Sequence, residues 1–180
     1  MGCSAPQIAN TGAGIAWMTK PLEETRGMVR AVKTALENVS KDGCAKRLSV
    51  KMRLGDESFT EEKLFSFCQM LLDEGVQMIT LHARTKKEKH RGHSRWQEVQ
   101  NLAERFPSVP VILNGDVKDA ASFGEARKAA PSARGVMIAT AAAQKPWIFS
   151  VLKSSVWVQL SPPDHHFSPV SPVGTQAPAI

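Results

Sequence analysis

Four short apolar runs at nearly regular intervals constrain the fold of this chain more than any other feature of its sequence. They cover residues 48–52, 77–81, 109–113 and 135–138, and their first residues are 29, 32 and 26 positions apart. A strand, a crossover helix and their connections need about 30 residues, so these intervals are typical of repeated βα units. Short and mainly apolar runs are also typical of buried strands in a parallel sheet. The sequence therefore predicts an α/β fold.

Amphipathic stretches suited to crossover helices lie between these runs and before the first. In one of them, Leu64, Phe67 and Leu71 have the spacing of a single helical face, and Gly75 follows as a natural stop. The predicted helices span residues 21–38, 59–74, 95–106 and 120–130. Alternating strands and helices of this kind predict a parallel sheet.

The proline distribution divides the chain of 180 residues into two parts. Five of the eleven prolines fall within residues 154–180, which show no apolar period. Because proline removes a backbone donor and fixes φ, we expect this segment to be an irregular tail behind an α/β domain of residues 1–153. A complete eight-stranded barrel needs about 250 residues, so the four units predict either a small open sheet or part of a closed barrel.

The charge balance is basic, with 23 Lys and Arg against 17 Asp and Glu, a formal net charge of +6. A polyanionic partner such as nucleic acid is physically compatible with this balance. The basic run 86–91 fits either a solvated loop or a contact with RNA phosphates. No apolar run approaches the ~18 residues of a membrane span, and the N-terminus lacks the order of a secretory signal. We therefore expect a cytoplasmic protein that does not enter a membrane, with cysteines present as thiols.

Polar and small residues lie at the carboxyl end of every predicted strand, the edge where parallel α/β folds bind ligands. These residues are Lys51 and Arg53, His82 and Arg84, Asn114, Gly115 and Asp116, and Ala139 and Thr140. Their convergence predicts a site for an anionic, hydrogen-bonding ligand, and the small residues would let a phosphate approach backbone N–H groups. A further loop of small residues at 2–6 carries Cys3, which we expect to be exposed enough to react.

Taken in order, these strings resemble the bacterial tRNA-dihydrouridine synthases over roughly residues 1–150. The matching pieces are Met1-Gly2-Cys3 with Gly12-Ala13-Gly14, Val50-Lys51-Met52-Arg53, Leu81-His82-Ala83-Arg84-Thr85, the stretch 110–116, the stretch 135–138, and Pro146-Trp147-Ile148-Phe149. The resemblance implies a partial (β/α)8 TIM barrel, comprising about the last four βα units. It also implies reduction of uridine to 5,6-dihydrouridine in tRNA, with FMN as cofactor and NADPH as reductant.

The resemblance assigns a role to each candidate residue. Cys3 matches the general acid that protonates C5 of the base, and a thiol with its usual pKa near ~8.5 is mostly protonated at neutral pH. Lys51 and His82 match flavin-contacting residues, and Arg84 matches a residue that binds substrate. Asn114, Gly115, Asp116, Ala139 and Thr140 match positions around the FMN ribityl phosphate.

The chain departs from the family pattern at several points. Ser4 replaces the proline of Gly-Cys-Pro, and Ala139-Thr140 replaces Gly-Arg. The match begins after the family's fourth barrel strand and lacks the helical tRNA-binding domain. Because Met1 lies directly before Gly2-Cys3 within a family motif, we expect an internal start or a broken gene. Open edges of half a barrel predict self-association. Two alternatives therefore stay open: an inactive remnant or interaction fragment, and an FMN barrel acting on a small molecule such as dihydroorotate.

Overall fold

A five-stranded parallel sheet forms the centre of the molecule. The structure is a computed structural model, and it describes residues 1–3, 5, 9–39, 46–88 and 91–157. The strands are β1 (Gly2–Cys3), β2 (Ser49–Met52), β3 (Met78–His82), β4 (Val111–Asn114) and β5 (Gly135–Met137), and they lie in the sheet in chain order. Every neighbouring pair is parallel, so the predicted α/β fold is confirmed.

Six α-helices accompany these strands in the described part of the chain. They are α1 (Leu22–Val39), α2 (Glu61–Asp73), α3 (Trp96–Arg105), α4 (Ala120–Ala129), α5 (Thr140–Gln144) and α6 (Ile148–Trp157), with short 3-10 helices at Ala9–Thr11 and Gly14–Met18. The four predicted helices are confirmed, each with both ends within two residues of the expected bounds. None of the described helices is long and apolar enough to cross a membrane.

Local sequence explains where helix α2 begins and ends. The Thr60 side chain accepts a hydrogen bond from the Lys63 amide, which satisfies one free N–H of the first turn. At the other end Gly75 adopts a φ of +86° and donates its amide to Leu72. Glycine takes this left-handed conformation without steric cost, so the predicted stop at Gly75 is confirmed.

The two faces of the sheet differ in burial. Side chains alternate between faces along a strand, and one set is at most 1% exposed. This set comprises Val50, Met52, Ile79, Leu81, Val111 and Leu113. On the other face Lys51 and Ile112 are only half-buried and Met137 is 39% exposed. Helices therefore cover one face of the sheet within the described residues, which is the arrangement of a barrel wall.

Two expectations from the sequence were wrong in detail. Residues 2–3 form strand β1, whereas a loop was expected, because their backbone pairs with Lys51 and Met52 of β2. Helix α6 runs to Trp157, so residues 154–157 at the start of the expected tail are helical. The rest of that tail, residues 158–180, lies outside the described residues, as does Cys44.

Candidate active site

Cationic side chains crowd the carboxyl ends of β2 and β3. Arg53 is 3% exposed and His82 is 8% exposed, while Lys51 is half-buried. Burial lowers the pKa of Lys51, and the charge of Arg53 lowers it further. Burial likewise lowers the pKa of His82 to about 4, helped by Arg53, Lys51 and Arg84. The imidazole is therefore neutral at physiological pH, among fixed positive charges.

The loops after β2 and β3 are joined by hydrogen bonds. Leu54 donates its amide to the Arg84 carbonyl at 3.0 Å, and Lys86 donates its amide to the Gly55 carbonyl at 2.8 Å. The amide of Lys87 donates to a Glu57 carboxylate oxygen at 3.0 Å. These bonds fix the start of the basic run 86–91, two of whose residues, 89 and 90, lie outside the described residues. The two cationic strand ends are thereby held as one unit.

The Arg84 side chain, which is 2% exposed, holds neighbouring protein groups. Its Nη2 donates to both carboxylate oxygens of Asp116, at 2.7 and 2.6 Å, and to the Gly92 carbonyl at 2.8 Å. Its Nη1 donates to the Arg91 carbonyl. This guanidinium ties the loop before α3 to the end of β4, and the expected contact with substrate stays a prediction.

Asp116 joins the same network from the end of β4. Partial burial by itself would raise the pKa of its carboxyl, but the amide of Ser94 donates to Oδ2, and Arg84 adds hydrogen bonds and charge. The net pKa is lowered, so the carboxylate is ionised at neutral pH. Trp96 donates its indole N–H to the Gly115 carbonyl at 3.1 Å. The turn at 114–116 is therefore fixed from two sides.

Gly115 allows the His82 ring to lie against the backbone of this turn. A Cβ placed on Gly115 would meet His82 Cδ2 at 2.6 Å and Nε2 at 2.8 Å, and the residue has a φ of +112°. Real Cβ atoms do not approach other atoms so closely, so only glycine fits this close approach. The side-chain Nδ2 of Asn114 donates to the Met137 carbonyl at 2.8 Å and links β4 to β5.

This edge of the sheet suits an anionic ligand with hydrogen-bonding groups. It offers fixed cations, a neutral imidazole and an ordered glycine turn, whereas no three His, Cys, Asp or Glu of the described residues gather in a way that would hold a metal ion. A cavity of about 590 Å³ lies by Glu104, Arg127 and Arg134. Arg134 directly precedes β5, so that cavity borders the amino end of the sheet. Since parallel α/β folds bind ligands at the carboxyl ends, we assign the site to the cationic edge.

Comparison with known proteins identifies the family. The family model described as dihydrouridine synthase matches residues 1–171. The chain belongs to the dihydrouridine synthase family. It is similar to a probable tRNA-dihydrouridine synthase of Aquifex aeolicus, with 33% identity over 84% of this chain and 45% of that protein. A probable synthase of Helicobacter pylori is 32% identical over 86% of this chain and 43% of its own length.

The dihydrouridine synthases that this chain matches include longer eukaryotic proteins. A human tRNA-dihydrouridine(47) synthase [NAD(P)(+)]-like protein is 29% identical over 85% of this chain, which covers 22% of the human protein. The chain thus spans less than half the length of these curated relatives. The parallel sheet with its layer of helices agrees with a partial TIM barrel, the fold that the resemblance implied.

In this member of the dihydrouridine synthase family, Cys3 lies apart from the cationic edge. It is 0% exposed, so the expectation of an exposed thiol was wrong. Cys3 is in register with Met52, whose sulfur lies 3.9 Å from Cys68 of α2. Partners in a parallel sheet share a face, so Cys3 belongs to the helix-covered face, opposite to Lys51. Burial raises the pKa of Cys3 to about 11, which keeps the thiol protonated as the role of an acid requires.

The remaining predicted site residues fall into two groups. Asn114, Gly115 and Asp116 lie with His82 and Arg84, as their contacts show. Ala139 and Thr140 are exposed at the start of α5, after β5. The structure adds Ser94 and Trp96, which sequence reasoning missed as parts of the site. The only sequence clue to them was their position just before and at the start of a predicted helix.

Proposed function

We propose that this chain binds FMN at its cationic edge and takes part in the reduction of uridine to 5,6-dihydrouridine in cytoplasmic tRNA, with NADPH as reductant. The observation that carries the proposal is the gathering of buried Arg53 and Arg84 and half-buried Lys51 around a neutral His82 at the carboxyl ends of parallel strands. Membership of the dihydrouridine synthase family supports the reaction and the substrate. A basic net charge of +6 also suits a polyanionic RNA.

The residues present fit the flavin. Lys51 places a cation where it would stabilise the negative charge of a reduced ring, and its half-buried position favours such a partner. His82 would offer a neutral imidazole to the ring or to the base. The turn at 114–116 and residues Ala139 and Thr140 would hold the ribityl phosphate through backbone N–H groups. When bound, FMN supplies the hydride that adds to C6 of the base.

Two residues would act on the substrate side. Cys3 would hold the proton for C5 on Sγ, and its raised pKa is consistent with a thiol that stays protonated. Reaching the base would require β1 to release this side chain from the covered face. Arg84 would act on tRNA through the loop that it holds at Arg91 and Gly92.

The burial of Cys3 specifically favours a second candidate function. In that case the chain would keep the flavin-binding edge without acid catalysis and would serve as a non-catalytic fragment that pairs with another polypeptide. The edge strands of the sheet, β1 and β5, would then carry the self-association or pairing.

Single-turnover reduction of unmodified tRNA by the FMN-loaded chain and NADPH distinguishes the two candidates. The proposed function predicts dihydrouridine formation that Cys3→Ala abolishes and Cys68→Ala spares. FMN binding without any dihydrouridine, in a chain that elutes as a complex larger than a monomer, would instead support the fragment. Failure to bind FMN would refute both.

A further inference from the structure

The loop after β3 is fixed by more than the bonds that join it to the loop after β2. Buried Arg84 donates to the carbonyls of Arg91 and Gly92, and the Arg91 amide donates to the Glu88 carbonyl at 2.7 Å. The guanidinium of Arg84 is itself held by the carboxylate of Asp116. A loop with these backbone bonds presents its side chains from fixed positions, which lowers the ordering cost of binding a ligand.

The only acid of the basic run, Glu88, is already engaged within the protein. One of its carboxylate oxygens accepts from the Thr85 amide at 2.6 Å, and the other accepts from the guanidinium of Arg95. Its charge is therefore matched by an arginine outside the run. A second acid that touches the run is Glu57, which accepts a hydrogen bond from the Lys87 amide.

Three cations of the run are not matched in this way. Lys87 and Arg91 are exposed and Lys86 is half-buried, and none of them forms an ion pair with an acid of the described residues. Unmatched cations alone are ordinary on a protein surface. These three, however, belong to a fixed loop that directly follows the strand end carrying His82. We call Lys86, Lys87 and Arg91 the loop surface.

A polynucleotide is the class of ligand that fits the loop surface. A strand whose base occupies the candidate site must leave that site across the surrounding loops, and its phosphates repeat along the backbone. Lysine binds a phosphate as a point charge and arginine binds it through a planar fork, in both cases whatever the base sequence. A small metabolite held among the strand ends would gain little from exposed cations on the loop.

We propose that the loop surface binds phosphates of the RNA strand that enters the candidate site, with Arg84 as the positioning residue for Arg91. Arg84 is 2% exposed, so it acts through the carbonyls of Arg91 and Gly92 and does not itself meet the phosphates. The choice of RNA rests on the proposed function, whereas the fixed loop does not. The interaction is ionic, and no covalent bond forms or breaks.

Salt-dependent binding of an unmodified tRNA transcript to the chain without FMN tests the loop surface. Each phosphate contact contributes about 0.7–0.9 to the slope of log Kd against log salt concentration. Lys87→Gln and Arg91→Gln should each lower the slope by about that amount and raise the Kd about 5–10-fold at about 0.1 M salt, while Arg91→Lys keeps the slope.

Arg134→Gln is the matched control, because it changes an exposed arginine directly before β5, at the other end of the sheet. This variant should keep the slope of the unmodified chain. The proposal is overturned if the folded chain does not bind the transcript, if the loop variants keep the full slope, or if the control loses as much as they do.

A double-variant cycle tests the positioning by Arg84. Arg84→Lys keeps the charge but cannot hold both carbonyls, so it should weaken tRNA binding by itself and add little to the loss in Arg91→Gln. Additive losses would refute the positioning role. If Arg84→Lys does not fold, amide exchange of the unmodified chain decides: the Arg91 N–H should exchange more slowly than in an unfolded peptide, and exchange at the unfolded rate would refute a fixed loop.

FMN titration separates this inference from the proposed function. Lys87→Gln and Arg91→Gln should bind FMN as the unmodified chain does, because the loop surface meets only the RNA. A chain that binds tRNA through the loop surface but does not bind FMN would refute the proposed function and support this inference. A chain that binds FMN, and whose tRNA binding does not depend on Lys87 or Arg91, would refute this inference alone.

Discussion

Replacing Gly115 with alanine tests whether the turn at the end of β4 is built around the close approach of His82. The new Cβ would lie 2.6 Å from His82 Cδ2 and 3.0 Å from Ser94 Oγ, at a φ of +112°. The unusual backbone conformation costs about 1–3 kcal/mol for a residue other than glycine. Displacing the ring adds about 1–3 kcal/mol of overpacking. Gly115→Ala should therefore lower the free energy of unfolding by about 2–6 kcal/mol.

Thermal unfolding followed by circular dichroism measures this loss. For a chain of this size each 1 kcal/mol moves the Tm by roughly 2–4 °C, so a drop of at least about 4 °C is expected. Gly27→Ala is the matched control, because Gly27 is exposed within α1 and an added Cβ there meets no atom within 4 Å. That change should stabilise the chain by about 0.5–1 kcal/mol. If Gly115→Ala were as stable as the unmodified chain, the described packing of His82 would be wrong.

Three further predictions follow from the site. Asp116→Asn should lower the free energy of unfolding by about 1–3 kcal/mol through the lost ion pair with Arg84. Because the pKa of Asp116 is lowered in the folded chain, the full loss is expected above the unfolded pKa near ~3.9, and it fades as the pH falls through the folded pKa. Urea unfolding of both chains at several pH values measures this dependence. Alkylation of Cys3, followed by mass spectrometry at about pH 8, should be at least about 100-fold slower in the folded chain than in urea; equal rates would contradict its burial. Lys51→Met should weaken FMN binding about 10-fold or more by fluorescence titration, while exposed Lys128→Met leaves it unchanged; equal affinities would remove Lys51 from the site.

Much of the fold could be predicted because the spacing of apolar residues and the positions of helix-ending residues agree along residues 1–153. The four apolar runs became β2 to β5, and Gly75 ended α2 where its conformational freedom indicated. Strand β1 was not predicted because two residues are too few to show an alternation of apolar and polar side chains. Its existence depends on pairing with Lys51 and Met52. Long-range pairing of this kind leaves no local trace in a sequence.

For the candidate site, the clustering of the residues was predictable, and their contacts with one another were less so. Polar residues at the carboxyl ends of neighbouring parallel strands share one edge of the sheet, which is why Lys51, His82 and Asp116 could be expected together. Sequence position does not say whether a guanidinium faces a ligand or a carboxylate, so the ion pair of Arg84 with Asp116 came only from the structure. The burial of Cys3 was missed for the same reason as β1, since strand pairing decides which face a side chain joins.

Flavin titration of the purified chain, with its size in solution measured in parallel, tests the central claim most directly. If the cationic edge is an FMN site, flavin fluorescence will change saturably on a compact species, and Lys51→Met will weaken the binding while Lys128→Met will not. Absence of saturable binding by a folded chain, or equal binding by both lysine variants, would contradict the assignment of this edge to the flavin.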